Sequence, residues 1–172
     1  MFFLGLFTSF GIAVAVAAGG APSLATVPHV DLKRYMGLWH EIARYPNRFQ
    51  RDCESDTTAK YALLENGRVE VLNTCRKKDG NLKDAKGKAK AVDGSNAKLK
   101  VTFFWPFYGD YWIIGLDHDY RWAVVGEPSR KYLWILSRTA NMTELDYKNA
   151  MEQVRAAGYD ESKLIKTRQS AL

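Results

Sequence analysis

The chain has 172 residues, of which 47% are hydrophobic, so its length allows one domain with its own apolar core. Its net charge of +6 comes from scattered basic residues except in 76–78 and 83–90, and both stretches lie among turn residues or alternate with small ones. We therefore expect no nucleic-acid partner, because the charge better suits anionic head groups or carboxylate ligands.

The N-terminal segment has the composition of a targeting signal. No side chain from Met1 to Pro28 is charged, and Ser23-Leu24-Ala25 fits the small-x-small pattern at which signal peptidase cuts. The apolar stretch is shorter than the roughly 20 residues of a membrane-spanning helix. We predict that residues 1–25 form a secretory signal and that 26–172 form the mature domain, with an uncleaved anchor as the alternative.

The two cysteines agree with export. The chain has an even number of cysteines, Cys53 and Cys75, and they lack the C-x-x-C spacing of redox and zinc sites. Exported proteins fold in an oxidising compartment, so we predict a Cys53–Cys75 disulfide that would stabilise the domain by roughly 3 kcal/mol. Two buried free thiols are the alternative.

Short alternating segments recur from Gly37 onward with turn residues between them, which predicts an antiparallel barrel or sandwich. A polar stretch, 46–56, is too long for a hairpin turn and is predicted to form a lid-type loop. Alternation also predicts which side chains point inward. The predicted strands are 37–44, 57–64, 69–75, 83–92, 98–103, 111–116, 121–126 and 132–138, and the inward-facing candidates are Tyr61, Val101, Phe103, Tyr111, Ile113 and Leu136.

One helix is predicted after the last strand. Asn141 and Glu144 have the form of a capping box with Asn141 as the N-cap, and Gly158 supplies the C-terminal stop. Apolar residues recur at helical spacing between them. We expect this helix to pack outside the sheet, with a partner-binding helix as the alternative, and residues 163–169 to add a short closing strand.

Three motifs in chain order resemble those of the lipocalin family. Gly37-Leu38-Trp39 resembles its G-x-W motif, residues 116–120 resemble its second conserved block, and Arg138 stands where the third block has its arginine. The longer strings 35–44, 103–109 and 132–139 are similar to the bacterial lipocalin group, which is related to apolipoprotein D and to plant temperature-induced lipocalins. The resemblance runs from about Asp31 to Gln169.

This resemblance implies an all-β fold, an eight-stranded antiparallel up-and-down β-barrel with one C-terminal α-helix packed outside. It implies that Arg138 lies across Trp39 and closes one end of the barrel through a cation–π contact. The residues with an implied structural role are Gly37, Trp39, Asp117, Tyr120 and Arg138.

The resemblance also implies a cavity for a fatty acid or a lysophospholipid. Trp134 and Tyr108 are the ligand-binding candidates by motif, and the inward-facing residues given above join them. Arg48 or Arg51 in the long loop is the candidate anchor for a carboxylate or phosphate. Core packing is the alternative reading of each aromatic residue.

The sequence therefore predicts an extracytoplasmic carrier in the periplasm or at the outer membrane, with a membrane surface as a candidate partner. We expect no cofactor, a monomer or homodimer, and no lipid anchor, because no cysteine lies near the cleavage site. His29, His40 and His118 lack metal-ligand spacing, so no catalytic or metal-binding residue is predicted. A lipid-modifying enzyme and a protein-interaction module are the alternatives.

Overall fold

A computed structural model describes residues 23–170. Residues 1–22, most of the predicted secretory signal, lie outside this range. Leu24 falls within that signal, yet it is buried in an apolar cluster on the outside of the barrel. The boundary at residue 25 stays a prediction.

The fold is a barrel of eight strands joined by a simple meander. Each strand pairs antiparallel with the next, and β1 pairs with both β2 and β8, so the sheet closes on itself. The predicted eight-stranded antiparallel up-and-down barrel is confirmed. The strands are β1 Gly37–Arg44, β2 Cys53–Leu63, β3 Val69–Lys77, β4 Leu82–Ala91, β5 Lys98–Phe104, β6 Phe107–Leu116, β7 Trp122–Gly126 and β8 Leu133–Ser137.

Two strands begin four residues earlier than the sequence predicts. The lid-type loop predicted over 46–56 is shorter, because β2 already starts at Cys53, which pairs with Lys77 of β3. Bulges interrupt this pairing before Thr58, so the polar end of β2 shows no regular alternation in the sequence. A short 3-10 turn, Arg48–Gln50, occupies the rest of the loop. β6 begins at Phe107 instead of Tyr111.

Two α-helices flank the barrel. The first, α1 (Leu32–Tyr35), was not predicted, and the Asp31 side chain caps its N-terminus. The second, α2 (Glu144–Ala156), begins later than predicted. Its N-cap is Thr143 and not Asn141, because the Thr143 hydroxyl accepts the hydrogen bond of the Asp146 amide at 3.1 Å. 

The end of α2 and its position agree with the sequence. Gly158 follows the helix with a φ of +74°, as the predicted C-terminal stop requires. α2 packs outside the barrel against β6 and β7, with Ala150, Met151 and Val154 buried. Gly126 of β7 allows the chain beyond α2 to approach the wall, since a Cβ there would lie 2.2 Å from the Tyr159 hydroxyl oxygen. No helix within residues 23–170 is long and apolar enough to cross a membrane.

The C-terminal segment pairs with β1 and β2 where these two strands no longer pair with each other. The two strands pair only as far as His40 and Thr58, and beyond this point β9 (Ile165–Lys166) pairs with the end of β1. Arg168 then forms a bridge with Ser55 of β2. The closing strand expected over 163–169 is therefore present in shorter form.

The predicted disulfide is confirmed. Cys53 and Cys75 are bonded, with Cα atoms 5.5 Å apart, and they tie the start of β2 to β3 near the loop end of the barrel. 

Candidate functional site

The barrel encloses a cavity of about 810 Å³, a volume within the range of small-molecule sites. The wall comes from α1, from β1 to β6, from β8 and from the loop after β1, and it is mainly apolar and aromatic. Its exposed members belong to the loop after β1, to the first half of β4 and to the hairpin of β5 and β6, so the cavity opens at this end, the mouth. The exposed wall residues at the mouth include Arg48, Phe49, Phe103, Phe104, Phe107 and Tyr108.

The structure brings most of the predicted ligand-binding residues to this cavity. Seven of the eight line it, and they are Tyr61, Val101, Phe103, Tyr108, Tyr111, Trp134 and Leu136. Ile113 does not reach the wall: it is fully buried in the inner core, because it lies two positions beyond Tyr111 towards the closed end of the barrel. The alternation of side chains along the strand correctly places Ile113 on the inner face of β6, but it does not determine how deep in the barrel the residue lies.

The two candidate anchor residues separate in the structure. Arg48 lines the mouth, with its guanidinium carbon 5.2 Å from the centroid of the Phe49 ring. Arg51 is exposed and does not line the cavity. Within residues 23–170, no carboxylate pairs with Arg48. Its positive charge is therefore available at the mouth.

Sequence reasoning missed a buried carboxylate in the wall. Glu41 of β1 is 3% exposed, and its side chain pairs with Arg44 Nε at 3.1 Å. Gln50 Nε2 and the Thr167 hydroxyl donate to its two oxygens. Burial raises the pKa of Glu41, while these donors and Arg44 act in the opposite direction. The alternation of β1 could have revealed this residue, since Glu41 falls on the same inward face of the strand as Trp39.

Gln50 also connects the loop after β1 to β8, the strand that pairs with β1. Its Oε1 accepts a hydrogen bond from Trp134 Nε1 of β8 at 3.0 Å. The Trp134 ring is stacked with Tyr132 at 5.9 Å between centroids, and Tyr132 lies 5.7 Å from Phe49. Phe49, Tyr132 and Trp134 thus form one aromatic wall at the mouth.

Three tyrosines meet in the deeper part of the cavity. Tyr111 places its hydroxyl 2.8 Å from that of Tyr35 and 3.0 Å from that of Tyr61. Burial raises the pKa of Tyr61 to about 12 and those of Tyr35 and Tyr111 well above 10, so all three stay neutral near pH 7. Tyr35 was missed because the short helix α1 has little periodic signal.

The residues with a predicted structural role meet at the closed end. The Arg138 guanidinium carbon lies 3.8 Å from the Trp39 ring centroid, and its nitrogens donate to four backbone carbonyls. Gly37 has a φ of +96° and approaches Arg138, since a Cβ there would lie 3.3 Å from Nη1. The backbone carbonyl of Tyr120 is one of these four acceptors. The side-chain hydroxyl of Tyr120 accepts a hydrogen bond from the Asp31 backbone amide.

Asp117 stabilises the turn that carries Tyr120. Its carboxylate accepts the backbone amides of Asp119 and Arg121, and the hydrogen bonds from the Arg121 side chain lower the pKa of Asp117. His118, in the same turn, is exposed and lies 3.2 Å from Asp119 Oδ1. In the part of the chain that the structure describes, no three His, Cys, Asp or Glu side chains cluster as metal ligands would.

Comparison with known proteins gives one family. Residues 30–169 match the model of the lipocalin-like domain. The chain is 44% identical over 156 residues to temperature-induced lipocalin-1 of Arabidopsis thaliana, covering 86% of this chain and 83% of that protein. It is 40% identical over 161 residues to the outer membrane lipoprotein Blc of Escherichia coli (strain K12), covering 92% and 90% respectively.

The solved structures agree on the fold. Insecticyanin of the tobacco hornworm Manduca sexta matches with a TM-score of 0.72 at 21% identity, covering 88% of this chain and 87% of that chain. At this identity the match supports the shared barrel and nothing further.

Proposed function

The chain belongs to the lipocalin family, and on that premise we propose that it is a carrier that holds one fatty acid or lysophospholipid in its barrel. The observation that carries this proposal is the apolar cavity of about 810 Å³ that opens at one end. Burying an acyl chain releases roughly 0.8 kcal/mol per methylene, so a long chain supplies most of a micromolar affinity. 

The mouth suits the polar end of such a ligand. Arg48 presents a positive charge beside the aromatic wall of Phe49, Tyr132 and Trp134. A carboxylate or phosphate that remains at this rim keeps contact with water and with Arg48, while the chain fills the interior. Arg51, which does not line the cavity, is the weaker of the two anchor candidates.

We place this function in the cell envelope. The support is the 40% identity to a protein named as an outer membrane lipoprotein, together with the disulfide, which suits an oxidising compartment. The secretory signal over residues 1–25 belongs to the same proposal.

A membrane surface is the candidate partner with which the carrier exchanges its ligand. At the tip of the β5–β6 hairpin, Phe104, Trp105 and Phe107 are 76%, 77% and 72% exposed, beside the mouth. Adjacent exposed aromatic residues are costly in water and insert readily between lipid head groups. Arg48 and Arg51 at the same end add the positive charge that favours an anionic surface.

Native mass spectrometry of the protein purified from its own host, followed by solvent extraction, tests the carrier function. We expect a one-to-one complex with a fatty acid or lysophospholipid. Val101→Trp, which fills the cavity, should lose this ligand, whereas Lys100→Trp, on the opposite face of β5, should retain it. An empty wild-type barrel that also fails to bind added fluorescent fatty acids would overturn the proposal and favour an interaction module.

A further inference from the structure

The three tyrosines that meet in the cavity indicate which chemical group the inner end of the ligand carries. This inference rests on the carrier function proposed above. Tyr35, Tyr61 and Tyr111 come from α1, β2 and β6, and all three line the cavity. The Tyr35 and Tyr61 rings stack at 5.8 Å between centroids, and the Tyr111 ring meets Tyr61 edge-on at 6.1 Å. Their hydroxyl groups therefore meet from three separate elements of the fold.

The hydrogen bonds in this cluster leave one proton unused. Three hydroxyl groups carry three protons, and within residues 23–170 they make two hydrogen bonds, Tyr35 to Tyr111 and Tyr61 to Tyr111. Each hydrogen bond uses one proton, whichever atom donates. If Tyr35 and Tyr61 both donate to Tyr111, the proton of Tyr111 is unused. If Tyr111 donates to Tyr35 or to Tyr61, the proton of the residue that accepts is unused. Every arrangement leaves one donor.

This donor is neutral and lies inside the barrel, where Tyr35 and Tyr61 are buried and Tyr111 is half-buried. Burial is the main reason that the pKa of each of the three hydroxyls is raised, so the cluster keeps its protons at physiological pH. A buried hydroxyl without an acceptor is destabilising, because the hydrogen bond it made to water is lost and not replaced. An acyl chain that ends in a plain methyl group offers no acceptor to the cluster, and a ligand with an oxygen at that end does.

We propose that the deep end of the cavity selects an apolar chain whose far end carries a hydrogen-bond acceptor oxygen, such as a hydroxyl or a carbonyl group. The ligand then contacts the protein through polar atoms at both ends: an anionic head group near Arg48 at the mouth, and a neutral oxygen against Tyr35, Tyr61 and Tyr111 inside. The tyrosines act as specificity-determining residues, and the apolar wall between the two ends supplies the bulk of the affinity.

The test compares palmitic acid with ω-hydroxypalmitic acid in displacement of a fluorescent fatty acid. The full-length wild type is measured beside the triple variant Tyr35→Phe/Tyr61→Phe/Tyr111→Phe, which keeps the rings and removes the hydroxyls. Tyr45→Phe is the matched control, because its hydroxyl donates to the Asp160 carbonyl outside the cavity. We expect the preference for the hydroxylated acid over the plain acid to fall about tenfold in the triple variant and to stay unchanged in Tyr45→Phe.

An unchanged preference in the triple variant overturns this inference alone, since palmitic acid would still bind. If wild type binds neither acid, the inference fails; if it also binds no lysophospholipid, the carrier function fails with it. Should the triple variant not fold, wild type is tested with a mid-chain hydroxypalmitic acid. The inference then requires tighter binding of the ω-hydroxy acid than of the mid-chain isomer, and equal binding of the two overturns it.

Discussion

Trp134 of β8 donates a hydrogen bond from its indole nitrogen to the side-chain oxygen of Gln50, 3.0 Å away on the loop after β1. The same Gln50 side chain donates to Glu41 of β1, so the loop is fixed to two neighbouring strands of the wall at once. The Trp134 ring is therefore held in place by a polar contact while its apolar faces meet Tyr132 and the cavity. This arrangement suits a side chain that must present a rigid surface to a ligand.

Replacing Trp134 by alanine should weaken acyl binding at least about tenfold and leave the barrel folded. The residue is only partly buried, and its ring contributes apolar area that a bound chain would otherwise cover. Binding is measured with a fluorescent fatty acid, and folding by circular dichroism. Trp134→Phe removes the hydrogen bond to Gln50 and keeps most of the ring, so it should have a smaller effect.

A matched control for this variant is Trp112→Ala. Trp112 lies outside the cavity and packs against the outer cluster beside Lys98. Its loss should leave ligand affinity unchanged, whatever it does to stability. Unaltered affinity in Trp134→Ala would remove that residue from the binding site.

Replacing Arg138 by alanine should lower the free energy of unfolding by about 2–4 kcal/mol. The guanidinium covers the fully buried Trp39 ring and donates to the backbone carbonyls of Arg34, Met36, Leu38 and Tyr120. Trp39→Ala should cost about 3–5 kcal/mol, since it leaves a large cavity. Urea unfolding measures both losses.

Arg155→Ala is the control for Arg138. Arg155 is exposed and pairs with the exposed Glu161 at the surface, where an ion pair contributes about 0–1 kcal/mol. A loss of ligand binding without any loss of stability in Arg138→Ala would contradict the structural assignment.

Asp56 should make stability depend on acid pH through the C-terminal segment. The Ser170 amide, together with Arg76, holds the pKa of Asp56 at about 2, below its ordinary value of 3.8. Because the folded pKa is the lower one, the contribution of Asp56 is complete above pH 3.8 and is lost as the pH falls from 3.8 towards 2.

Asp56→Asn is the variant that isolates this charge, since asparagine also tolerates the φ of +54° at this position. It should cost about 1 kcal/mol at pH 7, a value reduced for the partial exposure of the carboxylate, and the difference from wild type should vanish near pH 2. Urea unfolding across this pH range is the measurement. A difference that stays constant with pH would mean that the carboxylate charge is not involved.

The aromatic tip of the β5–β6 hairpin should bind anionic vesicles. We expect wild type to sediment with vesicles of phosphatidylcholine and phosphatidylglycerol, and Phe104→Ser/Trp105→Ser to bind at least about tenfold more weakly. Leu145→Ser is the control, because Leu145 is 66% exposed on α2, away from the mouth. Equal binding of the tip variant and wild type would exclude the tip as the contact.

The sequence alone determined those features that depend on neighbours along the chain. Alternation gave the eight strands and the inward side of Tyr61, Val101 and Phe103, and these residues do line the cavity. Gly158 marked the end of α2, and the cysteine count together with the predicted export signal indicated the disulfide. Each of these signals is local or counts a residue type, so a single sequence contains it in full.

Other local signals were ambiguous, and the structure resolved them. Asn141 and Thr143 are both good capping residues, and the Asp146 amide bonds to Thr143. The polar start of β2 resembled a loop because its bulges break the alternation, although it pairs with β3 through Cys53. Hydrogen-bond partners decided both cases, and they are not visible in one segment alone.

Only the tertiary structure decided where the cavity ends. Ile113 and Tyr111 occupy the same face of β6, yet Tyr111 lines the cavity and Ile113 is core, because depth along the barrel axis depends on which side chains fill the closed end. α1 brings Tyr35 to that end, and the loop after β1 brings Gln50 to Glu41. Period-two alternation separates inside from outside, whereas the boundary between packed core and open cavity is set by contacts between residues far apart in the chain.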